Sequence, residues 1–231
     1  AFALVNRSLG NSDIKVIIGE ASDPRFKKYT QVPKSAEGYY LSISPKKIVL
    51  IGRTERGSYY GAQTLSQLVK KSQGHTSLQS TEIIDFPDIA FRGSMESFYG
   101  YSWSHQDRIP QLQFYGQYKL NTYIYAPRKD IYHGLSTRWR QPYPLQREKE
   151  IKELVQVARD HHVNFTWTLR PGLGFKWTDS DGDGIIDDYL SCLNKLELMY
   201  KLGVRSFAIF FDDIGGESTK AEKQVKLLNY L

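Results

Sequence analysis

Two carboxylates stand side by side at Asp212 and Asp213, closing the apolar run Phe207-Ala-Ile-Phe-Phe-Asp-Asp-Ile214. A short apolar run bounded by turn residues predicts a strand buried on both faces, and two acids at its end need a reason to be there. Like charges so close do not both ionise cheaply, so the pair is expected to split into a proton donor and an anion. Those are the two tasks of carboxylate catalysis. Successive strand residues point to opposite faces, so both acids serve one pocket only if the chain already turns at Asp212. Ile214-Gly-Gly216 predicts that turn.

A second acidic cluster, Asp179-Ser-Asp-Gly-Asp-Gly-Ile-Ile-Asp-Asp188, has the spelling of an oxygen-rich cation loop. Asp179, Asp181, Asp183 and Asp187 are the expected ligands of a structural calcium ion, with Gly184 at the sharp turn. Leu190 stands where a full EF-hand loop uses Glu, so the loop is not of that kind. The competing reading is a solvated acidic turn in which Asp187 or Asp188 caps the next helix. No cofactor is expected for catalysis. No histidine pair has zincin spacing, and no Gly-x-Ser-x-Gly elbow marks a serine hydrolase. The single cysteine, Cys192, reads as a buried apolar thiol.

Composition narrows the class. The chain has 231 residues, 40% hydrophobic and 24% charged, which is ordinary for a globular protein. Its net charge is +6, yet Lys and Arg form no basic block, so no nucleic-acid partner is expected, whereas an acidic glycan would be attracted. No apolar run reaches the length of a membrane span. The start at Ala1-Phe-Ala-Leu-Val is too short for an intact signal and suggests a processed terminus, from which a secreted or periplasmic location is expected. Sixteen Tyr and four Trp offer rings for sugar faces or simply for a core.

The elements that must position these residues fall into two domains, 1–86 and 87–231. In the first, Ile14–Ile18, Tyr39–Ile43 and Ile48–Ile51 predict strands. A helix over Ser58–Lys71 follows, with Gly57 and Gly61 allowing close approach; the whole is a small α+β platform. After Pro87 the pattern alternates: strands over Ala90–Met95, Thr122–Tyr125, Asn164–Leu169 and Ser206–Phe211, helices over His105–Tyr118, Arg147–His161 and Tyr189–Leu202, and a fourth helix from near Ser218. The fold class is therefore α/β: a small α+β domain followed by a (β/α)8-type barrel of which about the first four βα units are present. Its open edges would be covered by the missing half-barrel or an oligomer partner. Active sites of such sheets form at the carboxyl ends of the strands. There stand Glu96 with the aromatic loop to His105, the stretch Ala126–His133, Arg170-Pro-Gly172, and Asp212-Asp213. Glu96 is expected to pair with Arg92 or Arg170.

The order and spelling of these strand ends resemble glycoside hydrolase family 84, the β-N-acetylglucosaminidases that include O-GlcNAc hydrolases and hyaluronidase-like proteins. The resemblance rests on Phe91-Arg-Gly-Ser-Met-Glu-Ser-Phe-Tyr-Gly-Tyr-Ser-Trp-Ser104 and on Asn121-Thr-Tyr-Ile-Tyr-Ala-Pro127 with Asp130, Tyr132 and His133. It continues through Trp139-Arg-Gln-Pro-Tyr-Pro144, Pro171-Gly172 and Gly203–Ile214, while Tyr40-Leu-Ser-Ile43 and Gly61–Leu68 resemble the small domain that precedes the family's barrel. It implies retaining hydrolysis in which the substrate's own acetamide attacks the anomeric carbon and forms an oxazoline. Asp212 would then hold the acetamide N–H, and Asp213 would protonate the leaving oxygen and later activate water. Ser97, Tyr99, Arg128 and Asp130 would contact the sugar, and the partner would be a glycan or glycoprotein bearing β-linked GlcNAc. Two positions depart from the family's spelling: Ser97 stands where Gly is usual, and Arg128 where Lys is usual. The alternatives are a non-catalytic carbohydrate-binding relic or fragment, and a calcium-braced interaction module.

Overall fold

The computed structural model describes residues 14–72, 75–134 and 136–231, so the processed start expected at Ala1 lies outside the described residues. The chain divides into two compact units. One holds the described residues up to Phe91 together with Gln117–Lys119; the other holds Arg92–Gly116 and Leu120–Leu231.

The first unit is a sheet of strands β1 (Lys15–Glu20), β2 (Tyr39–Ser44), β3 (Lys47–Gly52) and β6 (Thr81–Asp85), in the order β1-β3-β2-β6. Between β3 and β6 come helix α1 (Glu55–Leu68) and a short antiparallel pair, β4 (Lys70–Ser72) with β5 (His75–Ser77). β1 runs parallel to β3, while β2 is antiparallel to both neighbours. Alternation sorts the side chains: Tyr39, Leu41, Ile43 and Leu50 join Tyr60 in one cluster, and Tyr40, Val49 and Ile51 join Val32 in another. The expected close approach of α1 is real. A Cβ on Gly61 would lie 2.1 Å from Leu50 Cδ1. The helix stops at Leu68 rather than Lys71, because Val69 turns extended and Lys70–Ser72 pair as a strand. β6 was not legible in the sequence: its alternation is half-buried against exposed, the weak signal of an edge.

The second unit is a parallel sheet of β7 (Gly93–Glu96), β8 (Thr122–Tyr125), β9 (Asn164–Leu169) and β10 (Ser206–Ile209), in chain order. Helices α2 (His105–Gln117), α3 (Leu145–Asp160), α4 (Asp187–Lys201) and α5 (Ala221–Tyr230) follow successive strands. Expected strands and helices appear in the expected order, with two trimmed. The first strand begins at Gly93, not Ala90, and the last ends at Ile209, not Phe211. Gly93 permits the β7–β8 pairing, since a Cβ there would lie 1.6 Å from the Thr122 carbonyl oxygen.

The sheet's two faces differ. One row, Glu96, Tyr125, Trp167 and Phe207, shares its face with Tyr123, Phe165 and Leu169. That face packs on Leu112 and Tyr115 of α2, on Ile151, Leu154, Val155 and Ala158 of α3, on Cys192 and Met199 of α4, and on Leu227 of α5. The predicted apolar stripe of α3 thus lies on the sheet, and Cys192 is buried with its thiol pushed up by burial. The opposite row is mixed: Met95, 49% exposed, and Ile124 are apolar, while the Thr166 and Ser206 hydroxyls meet at 2.9 Å.

Glu96 pairs with neither Arg92 nor Arg170. Its carboxylate lies on the helix-facing side and takes Arg108 of α2 as a fork, at 2.8 Å from Nε and 2.7 Å from NH2. Tyr123 Oη and the Trp103 N–H also donate to it. Burial opposes the Arg108 charge, but Glu96 holds the guanidinium above its usual range. Glu96→Leu strands that cation in the core, and we expect a loss of about 3–5 kcal/mol in urea unfolding. The double change Glu96→Leu with Arg108→Leu should recover most of it; a double variant as unstable as the single would show that the pair is not the cause.

Candidate active site

β10 ends at Ile209, although the Phe210 N–H still reaches Leu169 O at 2.8 Å. Asp212 and Asp213 then lie in a turn, and Asp213 takes the left-handed conformation with φ of 53°. The turn anticipated from Ile214-Gly-Gly216 therefore begins at the acids themselves, which frees them from strand alternation. Their side chains are half exposed, and each faces an arginine of its own: Asp212 forms an ion pair with Arg170 at 2.9 Å, and Asp213 accepts from Arg128 at 3.3 Å. The two adjacent carboxylates are thus turned toward separate cations.

Arg170 follows β9 directly. Its N–H bonds His133 O at 2.8 Å, and it bridges Gly134, where a Cβ would lie 2.5 Å from the Arg170 Cβ. It is only 3% exposed, and Nε and NH1 have no hydrogen-bond partner among the described residues. The row Thr166, Thr168, Arg170 therefore carries a buried cation to the rim, aimed at Asp212. Sequence reasoning placed Arg170 at a strand end and offered Glu96 as its partner, whereas its partner is Asp212. The usable signal was a lone arginine directly before Pro-Gly on a strand otherwise free of charge.

The loops after β7 and β8 lean on each other. Arg128 lies over the Tyr99 ring at 4.1 Å and Lys129 over Tyr101 at 3.9 Å. Arg128 thus touches both Tyr99, which is 80% exposed, and Asp213. Ser97 begins this loop, half-buried, with its N–H on Met95 O at 3.1 Å. Asp130 behaves differently from the others. It is buried, and its carboxylate takes Tyr125 Oη at 2.8 Å, Tyr143 Oη at 2.9 Å and the Tyr132 N–H at 2.9 Å. Those contacts shape the 126–133 loop from within. Burial and the adjacent Asp130 push both phenols well above their usual range. His133 is buried between Pro127 O and Thr168 Oγ1, and burial lowers its pKa.

The long loop after β9 is anchored at its far end. Asp188, buried, accepts from Arg140 Nε at 2.7 Å and from the Lys176 N–H at 2.6 Å, and Arg140 NH2 reaches Gly174 O at 2.6 Å. Within the acidic stretch, Asp179, Asp181 and Asp183 bring ligand oxygens within 4.8 Å of one another, all exposed. Asp179 accepts from the Gly182 and Gly184 N–H groups at 2.8 Å, the glycines taking positive φ. Asp187 does not join this trio. It accepts from the Ser180 N–H at 2.9 Å and Oγ at 2.7 Å, bonds that lower its pKa. Asp187 opens α4 without capping it: the N-cap is Ile186, with no side-chain cap bond, and Asp188 turns instead to Arg140 and the Lys176 N–H.

Residues 92–231 match the β-N-acetylglucosaminidase family, and residues 3–86 match domain 2 of glycosyl hydrolase family 20. Protein O-GlcNAcase of Rattus norvegicus is 30% identical over 133 residues, 58% of this chain and 14% of that protein; the Mus musculus protein gives the same figures. A beta-hexosaminidase of Porphyromonas gingivalis is 30% identical over 108 residues, 44% of this chain and 14% of that protein. The solved structure of CpGH84B superposes with a TM-score of 0.79 at 35% identity, covering 91% of this chain and 37% of that one. CpGH84D gives 0.80 at 29% identity, covering 97% and 38%. The match thus spans about one seventh of the curated relatives' length.

Behind the 126–143 loop lies Lys195 of α4, 3% exposed. It donates to Gln141 O and stands 4.5 Å from the Tyr143 ring. Burial pulls its ammonium down to about 8, against the pull of Asp130 and Glu148. The folded state therefore disfavours the proton that the unfolded chain keeps to about pH 10.4. Below pH 8 both states are charged and the cost is present in full; as pH rises from 8 toward 10 the unfolded state binds more protons, so stability rises. Lys195→Met should flatten that rise, by about 2 kcal/mol across pH 8–10 in denaturant titrations. An identical pH slope in both proteins would contradict the assignment.

Proposed function

Because this chain belongs to the β-N-acetylglucosaminidase family, we propose that it carries the acid pair of a retaining hydrolase acting on terminal β-linked GlcNAc of glycans or glycoproteins. The observation that carries the reading is the turn after β10, where Asp212 and Asp213 leave strand alternation together and each meets an arginine on an adjacent loop or strand end. Asp212, oriented by Arg170, has one carboxylate oxygen left to accept an acetamide N–H. There it stabilises the positive charge that grows as the acetamide oxygen attacks the anomeric carbon. Asp213 stands on the other side of the turn, beside Arg128 and Tyr99. It delivers a proton to the leaving oxygen and then takes one from water as the oxazoline opens.

The same proposal includes the barrel. Four parallel strands in chain order, with α2 to α5 all packed on one face among the described residues, support the wall of a (β/α)8 barrel. Strands β7 and β10 would be its open edges, continued by further βα units or by a partner. A structural calcium ion at Asp179, Asp181 and Asp183 belongs to the proposal as well, since hard cations take clustered carboxylate oxygens. Its chemistry there is to hold the loop; no step of hydrolysis uses it.

Release of 4-methylumbelliferone from its β-N-acetylglucosaminide tests the reading. Asp213→Asn keeps a residue that tolerates the left-handed turn, and should lower release at least about 100-fold. Unchanged release in the variant would refute the acid role, whereas glycan retention without any release would favour a carbohydrate-binding relic. For the ion, melting in millimolar calcium should lie about 3–5 °C above melting in EDTA, and Asp181→Asn should remove the difference. Coincident melting curves for the parent protein would dismiss calcium.

A further inference from the structure

His133 closes the loop that carries Arg128. It is fully buried, and its ring Nε2 meets the carbonyl oxygen of Pro127, the residue next to Arg128, at 2.9 Å. A carbonyl only accepts, so Nε2 carries the proton. The bond ties the last residue of the loop to its first. Within the loop the Asp130 N–H reaches the same Pro127 oxygen at 2.9 Å, and the His133 N–H reaches Asp130 O at 3.3 Å.

The other ring nitrogen does less. Nδ1 stands 3.2 Å from Thr168 Oγ1, but that hydroxyl donates to Tyr125 O at 2.8 Å and has one proton for two acceptors. Burial lowers the pKa of the ring; Asp130 and the bond to Pro127 oppose the shift, and Arg170 adds to it. At neutral pH the ring is therefore uncharged, with a single N–H that goes to Pro127 O.

The main chain of the same residue serves the second arginine. His133 O accepts the Arg170 N–H at 2.8 Å, and Gly134 bridges Arg170 in parallel register. Arg128 and Arg170 are the cations that meet Asp213 and Asp212. His133 thus reaches one arginine through its ring and the other through its backbone. The two ties are separable, because a substitution removes the ring bond and leaves the carbonyl in place.

We propose that His133 is a positioning residue for proton transfer at Asp213: its ring bond to Pro127 O sets where the neighbouring Arg128 stands, and through it where the Asp213 carboxylate points. The role of Asp213 itself rests on the hydrolase reading above. Asp212 is registered by Arg170, which the ring bond does not hold. Loss of that bond therefore divides the tasks of the two acids. Proton delivery to the leaving oxygen weakens, while participation of the acetamide goes on.

Two aryl glycosides of β-linked GlcNAc make the division measurable: a dinitrophenyl leaving group departs without a proton, whereas a methoxyphenyl one needs it. Asp213→Asn gives the reference pattern, a far larger loss with the methoxyphenyl substrate. His133→Asn places its amide too short of Pro127 O to donate. It should lower kcat/KM about ten-fold for the methoxyphenyl glycoside and less than about two-fold for the dinitrophenyl one. His133→Gln, whose amide N–H takes the place of Nε2–H, should recover most of the loss. His133→Met fills the space without a donor and carries the same expectation if the Asn variant does not fold. In an Arg128→Met background the His133 change should add nothing. A histidine that only supports the fold lowers the folded fraction and scales both substrates alike. An equal loss with both glycosides, no loss, a Gln variant as impaired as the donorless ones, or losses additive with Arg128→Met overturns the assignment. No release of the dinitrophenyl glycoside by the unsubstituted protein, or an Asp213→Asn loss equal for both substrates, overturns the hydrolase reading and the assignment with it. An unsubstituted protein and an Asp213→Asn variant that behave as expected, beside a His133→Asn that does not, remove the assignment alone.

Discussion

The carboxylate of Glu96 joins four segments of the second unit: its own strand β7, helix α2 through Arg108, strand β8 through Tyr123, and the aromatic loop through the Trp103 N–H. β7 has little else to hold it. Three of its four residues are exposed and one is glycine, so apolar burial contributes little to its place at the sheet edge. The fork geometry of a buried arginine supplies direction that dispersion cannot, and it fixes both the strand and the start of the loop that ends against Arg128. A buried pair of this kind adds little to net stability relative to an apolar pair; what it supplies is registry.

From that root the rim is assembled by cations in pairs. Arg128 and Lys129 take the two tyrosine faces of the β7 loop, and Arg170 and Arg128 take the two acids of the β10 turn. Arg128 belongs to both sets, so the aromatic loop and Asp213 are registered through one guanidinium. A planar fork with five donors can do this, lying flat on a ring and still reaching a carboxylate. The compact ammonium usual at this position in the resembling family could not span both in the same way. Asp130 serves from below, drawing two phenols and a backbone N–H inward so that the loop presents Arg128 outward.

Much of this was legible in the sequence where burial is one-sided or complete. β8 and β9 begin and end where their apolar runs do, and the stripe Ile151, Leu154, Val155, Ala158 marks the buried face of α3. Edges were harder to read. β6 alternates only between half-buried and exposed, and β7 carries its sole buried side chain at its last residue. The acid pair was visible because two charges interrupt an apolar strand. Its counter-charges were not, since Arg170 and Arg128 lie 42 and 85 residues away and only the parallel register brings them near. The inward turn of Asp130 and the burial of Lys195 were equally hidden. A polar residue in a loop looks the same in sequence whether its partners are water or tyrosines.

The left-handed φ of 53° at Asp213 carries a consequence for which sequences can occupy this site. Glycine enters that region freely, and Asp and Asn enter it more readily than most residues, although Lys119 and His162 also take it in this chain. A glutamate would offer the same carboxylate on a longer arm, but from a backbone conformation it enters less readily than aspartate. The main chain thus favours Gly, Asn and Asp at this position, and of these three only Asp carries a carboxylate.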